Sequence, residues 1–115
     1  MDDVFCKIIA GEIGSDVVYK DNDFWVIKDL NPQAPIHLLI IPVKHFTSLE
    51  DFAEGNNDEL LGKGLKVAHQ VAHKVGIVEK GYRLILNEGE DGGKLVPHLH
   101  IHLLGGKRLG PKIVK

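Results

Sequence analysis

The stretch Pro97–Gly106, PHLHIHLLGG, places a histidine at every second position of an otherwise apolar segment. Because side chains alternate between the two faces of a β-strand, His98, His100 and His102 are predicted to share one face, about 6.6–7 Å apart from one to the next. The apolar side chains between them point to the other face and can pack beneath a helix. This run therefore predicts a half-buried strand whose second face is lined with imidazoles.

A row of three imidazoles is not what strand packing requires, since β-branched or aromatic residues would pair better across a sheet. Imidazole is the side chain that acts as acid, base, nucleophile or metal ligand near neutral pH. Three interpretations are open at this point: a solvated sheet face, a zinc site, and chemistry on a phosphate group. A zinc site on this strand alone would need a bend, because the first and third histidines of a straight strand are too far apart.

A glycine-rich loop, NEGEDGGK at residues 87–94, comes shortly before the histidine run. Glycines allow backbone N–H groups to approach an anion as a nest, and Lys94 adds a positive charge. The combination favours nucleophilic and acid–base chemistry on a phosphate group over the other two interpretations.

Composition restricts the class of protein further. The chain has 115 residues, of which 43% are hydrophobic and 26% charged, as is ordinary for one globular domain spanning residues 1–115. A net charge of −2, with scattered lysine and arginine, argues against nucleic-acid and membrane partners. The single cysteine, Cys6, fits a reducing compartment. No signal peptide or run of about 18 unbroken apolar residues is present, so a cytoplasmic protein is expected.

Hydrophobic periodicity predicts five strands and two helices. A short helix covers VFCKIIAGEI and ends near Gly11, and a long helix covers NNDELLGKGLKVAHQVAHKVG. HFTSLEDF is expected to be a loop with one turn of helix. These elements and their short connections favour an α+β fold, a five-stranded antiparallel sheet with one long and one short helix. The strands are predicted at DVVYKD, DFWVIKDL, IHLLIIPVKH, YRLILNEG and LVPHLHIHLL, with a DND hairpin between the first two.

The long helix carries its own packing signals. Asn57 is predicted to cap its start and Gly76 its end. Gly64 falls on the apolar stripe, which indicates close backbone packing there and hints at a subunit contact. The stripe that is predicted to face the core consists of Leu61, Leu65, Ala68, Val71, Ala72 and Val75.

Residues His98–Leu104 match the pattern His-φ-His-φ-His-φ-φ, in which φ is an apolar residue. The stretches FCKIIAGEI, DLNPQAPIHLLIIPVKH and LNEGEDGG precede it in an order and spacing that strengthen the match. The chain therefore resembles the histidine triad (HIT) superfamily of nucleotide hydrolases and transferases, and within it the nucleotide-binding, nucleoside phosphoramidase-like branch. The resemblance covers most of the chain.

The resemblance implies a HIT-like fold whose sheet continues into that of a second subunit in a homodimer, and a pocket for a purine nucleoside monophosphate. The implied activity is hydrolysis of nucleoside phosphoramidates or related α-phosphate derivatives through a covalent nucleotidyl-histidine, without a cofactor. Two alternatives stay open: a dinucleoside polyphosphate hydrolase, and a nucleotide-binding scaffold protein with little catalysis.

The resemblance also implies roles for single residues. His100 would be the nucleophile, flanked by His98 and His102. His37, in the stretch NPQAPIH, would be the fourth histidine of the cluster. The apolar residues that the resemblance assigns to the base pocket could equally be ordinary core residues, and Asp29 could serve only to hold the NPQAP turn. The implied substrate-binding set is Asp29 for the ribose, Phe5, Ile8, Ile27 and Leu30 for the base, and Asn87 on the phosphate side. The glycine-rich loop itself adds Gly93 and Lys94 to the predicted phosphate side.

Two departures from the family pattern bear on catalysis. The segment Lys94–Pro97 reads KLVP where close relatives have Gln-Ser-Val-Tyr, so Leu95 replaces the serine that would contact the phosphoramidate nitrogen. This replacement puts efficient turnover in doubt and motivates the scaffold alternative. The tail KRLGPKIVK also replaces the usual tryptophan-proline ending.

A third departure concerns metal binding. Many bacterial relatives hold zinc with a Cys-x-x-Cys pair near the start and with histidines that match His45 and His98. Here Asp3 stands in the place of the first cysteine and Cys6 remains. No metal site is therefore expected, and Cys6 is interpreted as a small core residue.

Overall fold

The computed structural model of the protein describes residues 3–94 and 96–111. Within those ranges the elements are α1 (Val4–Ile9), β1 (Val17–Lys20), β2 (Phe24–Lys28), β3 (Ile36–Pro42), α2 (Leu49–Glu54), α3 (Asp58–Lys74), β4 (Arg83–Ile85) and β5 (Ile101–Gly105). The strands form one antiparallel sheet in the order β1-β2-β3-β5-β4. The predicted five-stranded α+β architecture is confirmed, and HFTSLEDF contributes a second short helix, α2, in place of a single turn.

The hairpin between β1 and β2 is held by Asp21 of the DND sequence. Its Oδ1 accepts hydrogen bonds from the backbone N–H groups of Asp23 and Phe24, both at 2.7 Å. An aspartate that bonds to the backbone two or three residues further on stabilises a tight turn. The chain therefore reverses here, as predicted, and β2 returns along β1 to reach the centre of the sheet.

The central strand is β3, which pairs with β2 on one side and β5 on the other and is buried from its second residue to its end. Leu39 lies opposite His102 across the β3–β5 pair. Opposed residues of an antiparallel pair share a face, so His102 lies on the same face as Leu39 and, by alternation, His37 and Ile41. This register brings the histidine of NPQAPIH to the histidines near β5.

The other face of the sheet packs against α3 and forms the main core. Leu61 and Leu65 of α3 are 37% and 49% exposed, so the predicted stripe is wrong at these two positions. The buried face of the helix is turned toward Gly64 and Val67 instead. The core comprises Val67, Ala68, Val71 and Ala72 of α3 and Phe24, Val26, Leu38, Ile40, Ile101 and Leu103 of the sheet.

Gly64 accounts for this orientation of α3. A Cβ at this position would lie 3.0 Å from Cζ of Phe24, so the missing side chain lets the helix approach the sheet closely. The predicted close packing is confirmed. Its partner is a ring of the same chain, however, so Gly64 gives no sign of a subunit contact.

The C-terminal end of α3 is capped as predicted, whereas the N-terminal end lacks the expected side-chain capping bond. Gly76, with φ +77°, follows the last turn and suits the left-handed conformation found there. Asn57 stands at the N-cap, but its side chain makes no capping bond, because Nδ2 donates to the carbonyl of Phe52 at 2.7 Å. Asn57 therefore holds the predicted N-cap position without making a side-chain capping bond. In the described part of the chain, no helix has both the length and the apolar character needed to cross a membrane.

The last strand, β5, is shorter than predicted because it begins at Ile101. The residues before it leave the sheet, and the N–H of Leu99 donates to the carbonyl of Phe46 at 2.6 Å. Leu99 packs with Phe46 and Phe52 in a small second core, whereas the sequence placed it beneath the long helix. The three histidines of the run therefore do not lie on one straight strand.

Candidate active site

An apolar cluster covers the face of the sheet opposite α3, beneath the short helix α1. This helix begins at its N-cap Asp3, whose Oδ1 accepts the N–H of Cys6 at 2.8 Å. Three of the four side chains predicted for a base pocket are brought together here. Leu30 is not among them, because it is 92% exposed and lies outside the cluster. The buried members are Phe5, Ile8, Ile27, Leu39 and Ile41.

Phe5 connects this cluster to the histidines. Its ring centroid lies 5.0 Å from that of His100 and 5.6 Å from that of His98, both edge to face. His37, His98 and His100 are buried, and His102 is partly buried. The rings of His37 and His100 also lie 5.2 and 5.1 Å from that of His102, so all four histidines predicted to be catalytic lie in one region beside this apolar cluster.

The protonation of His100 is fixed by the backbone. Its Nδ1 lies 2.7 Å from the carbonyl oxygen of His98, and a carbonyl oxygen can only accept. Nδ1 must therefore carry the proton, and the lone pair of the neutral ring is on Nε2. Burial is the main cause that lowers the pKa of His100 below its ordinary value, so the ring is neutral at pH 7 and Nε2 can act as a nucleophile.

His37 and His102 form a second ordered pair. The N–H of Gln33 donates to Nδ1 of His37 at 3.0 Å, so the proton of His37 is on Nε2. That nitrogen lies 2.9 Å from Nδ1 of His102 and 3.3 Å from Oδ2 of Asp29. His37 therefore donates toward both groups. Nδ1 of His102 is an acceptor, and the neutral His102 ring carries its proton on Nε2.

The environment of His102 keeps this ring neutral. Burial, followed by the neighbouring His100 and His37, lowers the pKa of His102 to about 4. Asp29 acts in the opposite direction and offsets only part of this effect. The cluster consequently offers a lone pair on His100 and an N–H group on His102 at pH 7, which is the pairing that nucleophilic attack and leaving-group departure require.

The glycine-rich loop is closed on itself. Because the N–H groups of Gly93 and Lys94 are both used within the loop, they do not form the anion nest that the sequence suggested. Asn87 is also engaged, through its side-chain amide. The closing bonds run from Asn87 Nδ2 to the Gly92 carbonyl (2.6 Å), from Gly93 N–H to the Glu90 carbonyl (3.0 Å) and from Lys94 N–H to the Gly89 carbonyl (3.1 Å).

A second polar group surrounds the start of α1 and consists of Asp3, Cys6, His45 and His98, whose ligand atoms all lie within 4.8 Å of one another. Cys6 Sγ is 3.1 Å from Nδ1 of His45 and 3.6 Å from Nδ1 of His98. Asp3 Oδ2 is 3.2 Å and 3.1 Å from the same two nitrogens. Cys6 therefore contacts two imidazoles, and its interpretation as a small core residue is wrong.

The chemistry of this group fits a zinc ion. Nε2 of His98 donates to the carbonyl of Pro42 at 3.1 Å, so in the neutral ring the lone pair of Nδ1 faces Asp3. A lone pair opposite carboxylate oxygens requires a positive charge between them, either a shared proton or a metal ion. One thiol, one carboxylate and two imidazoles are ligands that zinc takes, and an outer hydrogen bond to a carbonyl is typical of a metal-bound histidine. Asp3, Cys6, His45 and His98 would hold the ion.

A second set of donor atoms does not fit a metal. Asp29, His37 and His102 also bring ligand atoms within 4.8 Å of one another. Nε2 of His37 carries a proton, however, because Gln33 occupies Nδ1, so His37 has no lone pair for a metal ion. For the group around Cys6, the sequence predicts no metal whereas the ligand set fits zinc, so metal binding there has to be measured.

Some contributors to the site were not predicted. The hydrogen bond from the N–H of Gln33 to His37 cannot be predicted from residue types, because almost every residue has an N–H group. The NPQAP turn before His37 does mark the place where such a bond forms. Asp29 holds the NPQAP turn, because Oδ1 accepts the N–H of Asn31 at 2.8 Å. Its Oδ2 lies 3.3 Å from Nε2 of His37, a contact that was not predicted, and its role toward a ribose stays a prediction. Leu95, the departure from the family serine, lies outside the described residues.

Comparison with known proteins finds relatives that match this chain over most of its length. The sequence model of the HIT domain matches residues 10–109. A purine nucleoside phosphoramidase from Escherichia coli (strain K12) is 44% identical over 110 residues, which cover 96% of this chain and 92% of that protein. The solved HIT family hydrolase from Clostridium thermocellum matches with a TM-score of 0.90 and 47% identity, over 96% of each chain. A zinc-bound histidine triad family protein from Mycobacterium smegmatis matches with a TM-score of 0.80 and 27% identity, over 99% of this chain and 81% of that one.

Proposed function

The chain belongs to the HIT domain family, and we propose that it hydrolyses purine nucleoside phosphoramidates, or related α-phosphate derivatives, through a covalent intermediate on His100. The match to HIT family hydrolases supports a hydrolase. The similarity to a purine nucleoside phosphoramidase supports the substrate class. The proposal takes residues 1–115 as a single domain whose partner is a purine nucleotide.

One observation carries the proposal, the 2.7 Å hydrogen bond from Nδ1 of His100 to the carbonyl of His98. It leaves Nε2 unprotonated. In the first step Nε2 attacks the α-phosphorus and the P–N bond breaks, while the departing nitrogen takes a proton from solvent and leaves as the amine. In the second step water attacks the phosphorus and gives a proton to solvent, the bond to Nε2 breaks, and the nucleoside monophosphate is released from the neutral ring. The same hydrogen bond stabilises the positive charge that the ring carries in between.

The neighbouring groups have supporting roles in this proposal. The Nε2–H group of His102 donates a hydrogen bond to the departing nitrogen or to a phosphate oxygen, and His37 holds the ring of His102 in that orientation. Phe5, Ile8 and Ile27 offer an apolar surface for a flat base. Asp29 has one carboxylate oxygen beside His37 and can accept bonds from ribose hydroxyls.

The test compares the wild type with His100→Ala on an adenosine phosphoramidate and on a diadenosine polyphosphate. The variant is expected to bind adenosine monophosphate but to lose turnover, whereas His73→Ala, on the exposed side of α3, should leave both unchanged. Full activity in His100→Ala would contradict the assignment. Faster wild-type hydrolysis of the dinucleotide would favour the dinucleoside polyphosphate alternative. Binding without turnover of either substrate would identify a nucleotide-binding protein.

The proposal includes a homodimer. Its support is the family resemblance together with two leucines of α3, Leu61 and Leu65, that the single chain leaves substantially exposed. The two leucines lie one helical turn apart and so share a face of α3 that a second subunit could cover. Sedimentation equilibrium should give twice the mass of the chain, and a monomer at micromolar concentration would contradict this part of the proposal.

A further inference from the structure

We propose that Lys94 is a positioning residue, whose ammonium group ties the glycine-rich loop of residues 87–94 to the segment after β3. In this role Lys94 does not bind the phosphate of the substrate, which is the role that its positive charge beside the glycine-rich loop suggested. The effect on turnover rests on the proposed function, whereas the bridge itself can be tested without any substrate.

The contacts of Lys94 support a structural bridge. Nζ donates to the backbone carbonyl of Thr47 and, at 3.2 Å, to Oε1 of Glu88. The side chain of Lys94 is 10% exposed, whereas that of Glu88 is 36% exposed. An ammonium group that has lost most of its hydration needs such acceptors, so releasing it from Thr47 and Glu88 would be costly.

The loop has few other attachments to its surroundings. All residues from Gly89 to Gly93 are exposed, and the backbone bonds that close the loop join its residues to one another. A cavity of about 470 Å³ separates the loop from the segment after β3, and Thr47, Glu88 and Lys94 all line it. The bridge therefore connects the two sides of this cavity, where the loop would otherwise be free to move.

The position of Lys94 along the chain links the bridge to the candidate site. Two residues further on, Val96 packs against the apolar cluster that contains Phe5, and His98 and His100 follow directly. Holding Lys94 in place thus fixes the start of the segment that leads to the nucleophile. A loose loop would have to become ordered each time a substrate binds, and that ordering would weaken binding.

The experiment is a double-mutant cycle on Lys94→Met and Glu88→Ala, with the exposed Lys80→Met as the matched control. Two properties are measured: hydrogen exchange of the Gly93 amide by NMR, and affinity for adenosine monophosphate by calorimetry. Lys94→Met is expected to speed exchange and to weaken binding by roughly tenfold. Glu88→Ala should shift both properties in the same direction by less, because the contact of Lys94 with the Thr47 carbonyl remains. The double variant should be no worse than Lys94→Met, because removal of the ammonium group already breaks both contacts. Lys94→Arg should restore most of the binding.

A direct phosphate contact predicts a different pattern. Lys94→Met would weaken binding with no change in exchange, Glu88→Ala would leave binding unchanged or tighter, and the two effects would add. That pattern would overturn the proposal, as would unchanged exchange in both single variants. If the wild type neither binds adenosine monophosphate nor turns over a phosphoramidate, the proposed function fails, and the exchange measurements alone decide whether the bridge exists.

Discussion

At the scale of single residues, three backbone groups decide which ring nitrogen carries the proton in His37, His98 and His100. The carbonyl of His98 takes the Nδ1 proton of His100, and the carbonyl of Pro42 takes the Nε2 proton of His98. The N–H of Gln33 occupies Nδ1 of His37. Every residue has a backbone carbonyl and every residue except proline has an N–H group, so none of these partners can be identified from residue types. The sequence predicted the row of imidazoles but could not assign their protons.

The pH dependence of turnover follows from these environments. Burial lowers the pKa of His100 below its ordinary value and that of His102 to about 4. We therefore expect kcat/KM for an adenosine phosphoramidate to decline on the acid side with a midpoint below pH 6.5, the ordinary pKa of histidine. A pH–rate profile measures this, with His73→Ala as the control. A midpoint at or above pH 6.5 would contradict the assignment of neutral, buried rings.

Stability should depend on pH in the same direction. Between pH 6.5 and about 4 the unfolded chain binds a proton at His102 that the folded chain does not bind. The free energy of unfolding should therefore fall as the pH is lowered through this window, with no further contribution from His102 below it. Urea unfolding at a series of pH values would show the trend. A His102→Asn variant should lose this part of the dependence, and a variant with an unchanged slope would refute it.

At the scale of elements, α1 and its N-cap residue have two roles, of which the second cannot be predicted from the sequence of the helix. The helix lays Phe5 and Ile8 on the sheet and also brings Asp3 and Cys6 to His98, more than ninety positions away in the chain. Local periodicity predicted the helix and its end near Gly11, because those depend on neighbouring residues. It could not predict a contact between opposite ends of the chain, which depends on how the whole sheet folds.

Zinc binding tests this second role of α1. Zn²⁺ added to metal-free protein is expected to raise Tm, because an ion held by all four residues would fix α1 to His45 and His98. At a free concentration of 100 times Kd the gain would be about 2.7 kcal/mol. His45→Ala should abolish most of the shift, whereas His73→Ala should retain it. A wild-type Tm that zinc does not change would agree with the sequence expectation of no metal and contradict the fit described for this group.

The two glycines inside α3 give a second prediction at this scale. A Cβ at Gly62 would meet no atom within 4 Å, so Gly62→Ala should raise the free energy of unfolding by about 0.5–1 kcal/mol. At Gly64 the added Cβ would meet the ring of Phe24 at 3.0 Å, so Gly64→Ala should gain less or destabilise the protein. Urea unfolding of both variants compares them directly. Equal gains would contradict the close packing of α3 on the sheet.

At the scale of the whole molecule, the sheet separates the core under α3 from the candidate site under α1. Alternation along the chain predicted this division, since Ile101 and Leu103 lie in the core and His102 lies on the other face. It failed where the chain leaves the sheet, because Leu99 pairs with the backbone of Phe46 instead of continuing β5. A strand pattern in the sequence therefore located the two faces correctly but not the point at which the strand begins.

The most direct measurement of the central claim is the detection of the covalent intermediate. The wild type is mixed with an adenosine phosphoramidate, quenched in alkali within the first turnover, digested, and analysed by tandem mass spectrometry. We predict a peptide that carries one adenosine monophosphoryl group on His100, and no such peptide from His100→Asn. An adduct on another histidine, or rapid turnover without any adduct on His100, would contradict the claim that Nε2 of His100 is the nucleophile.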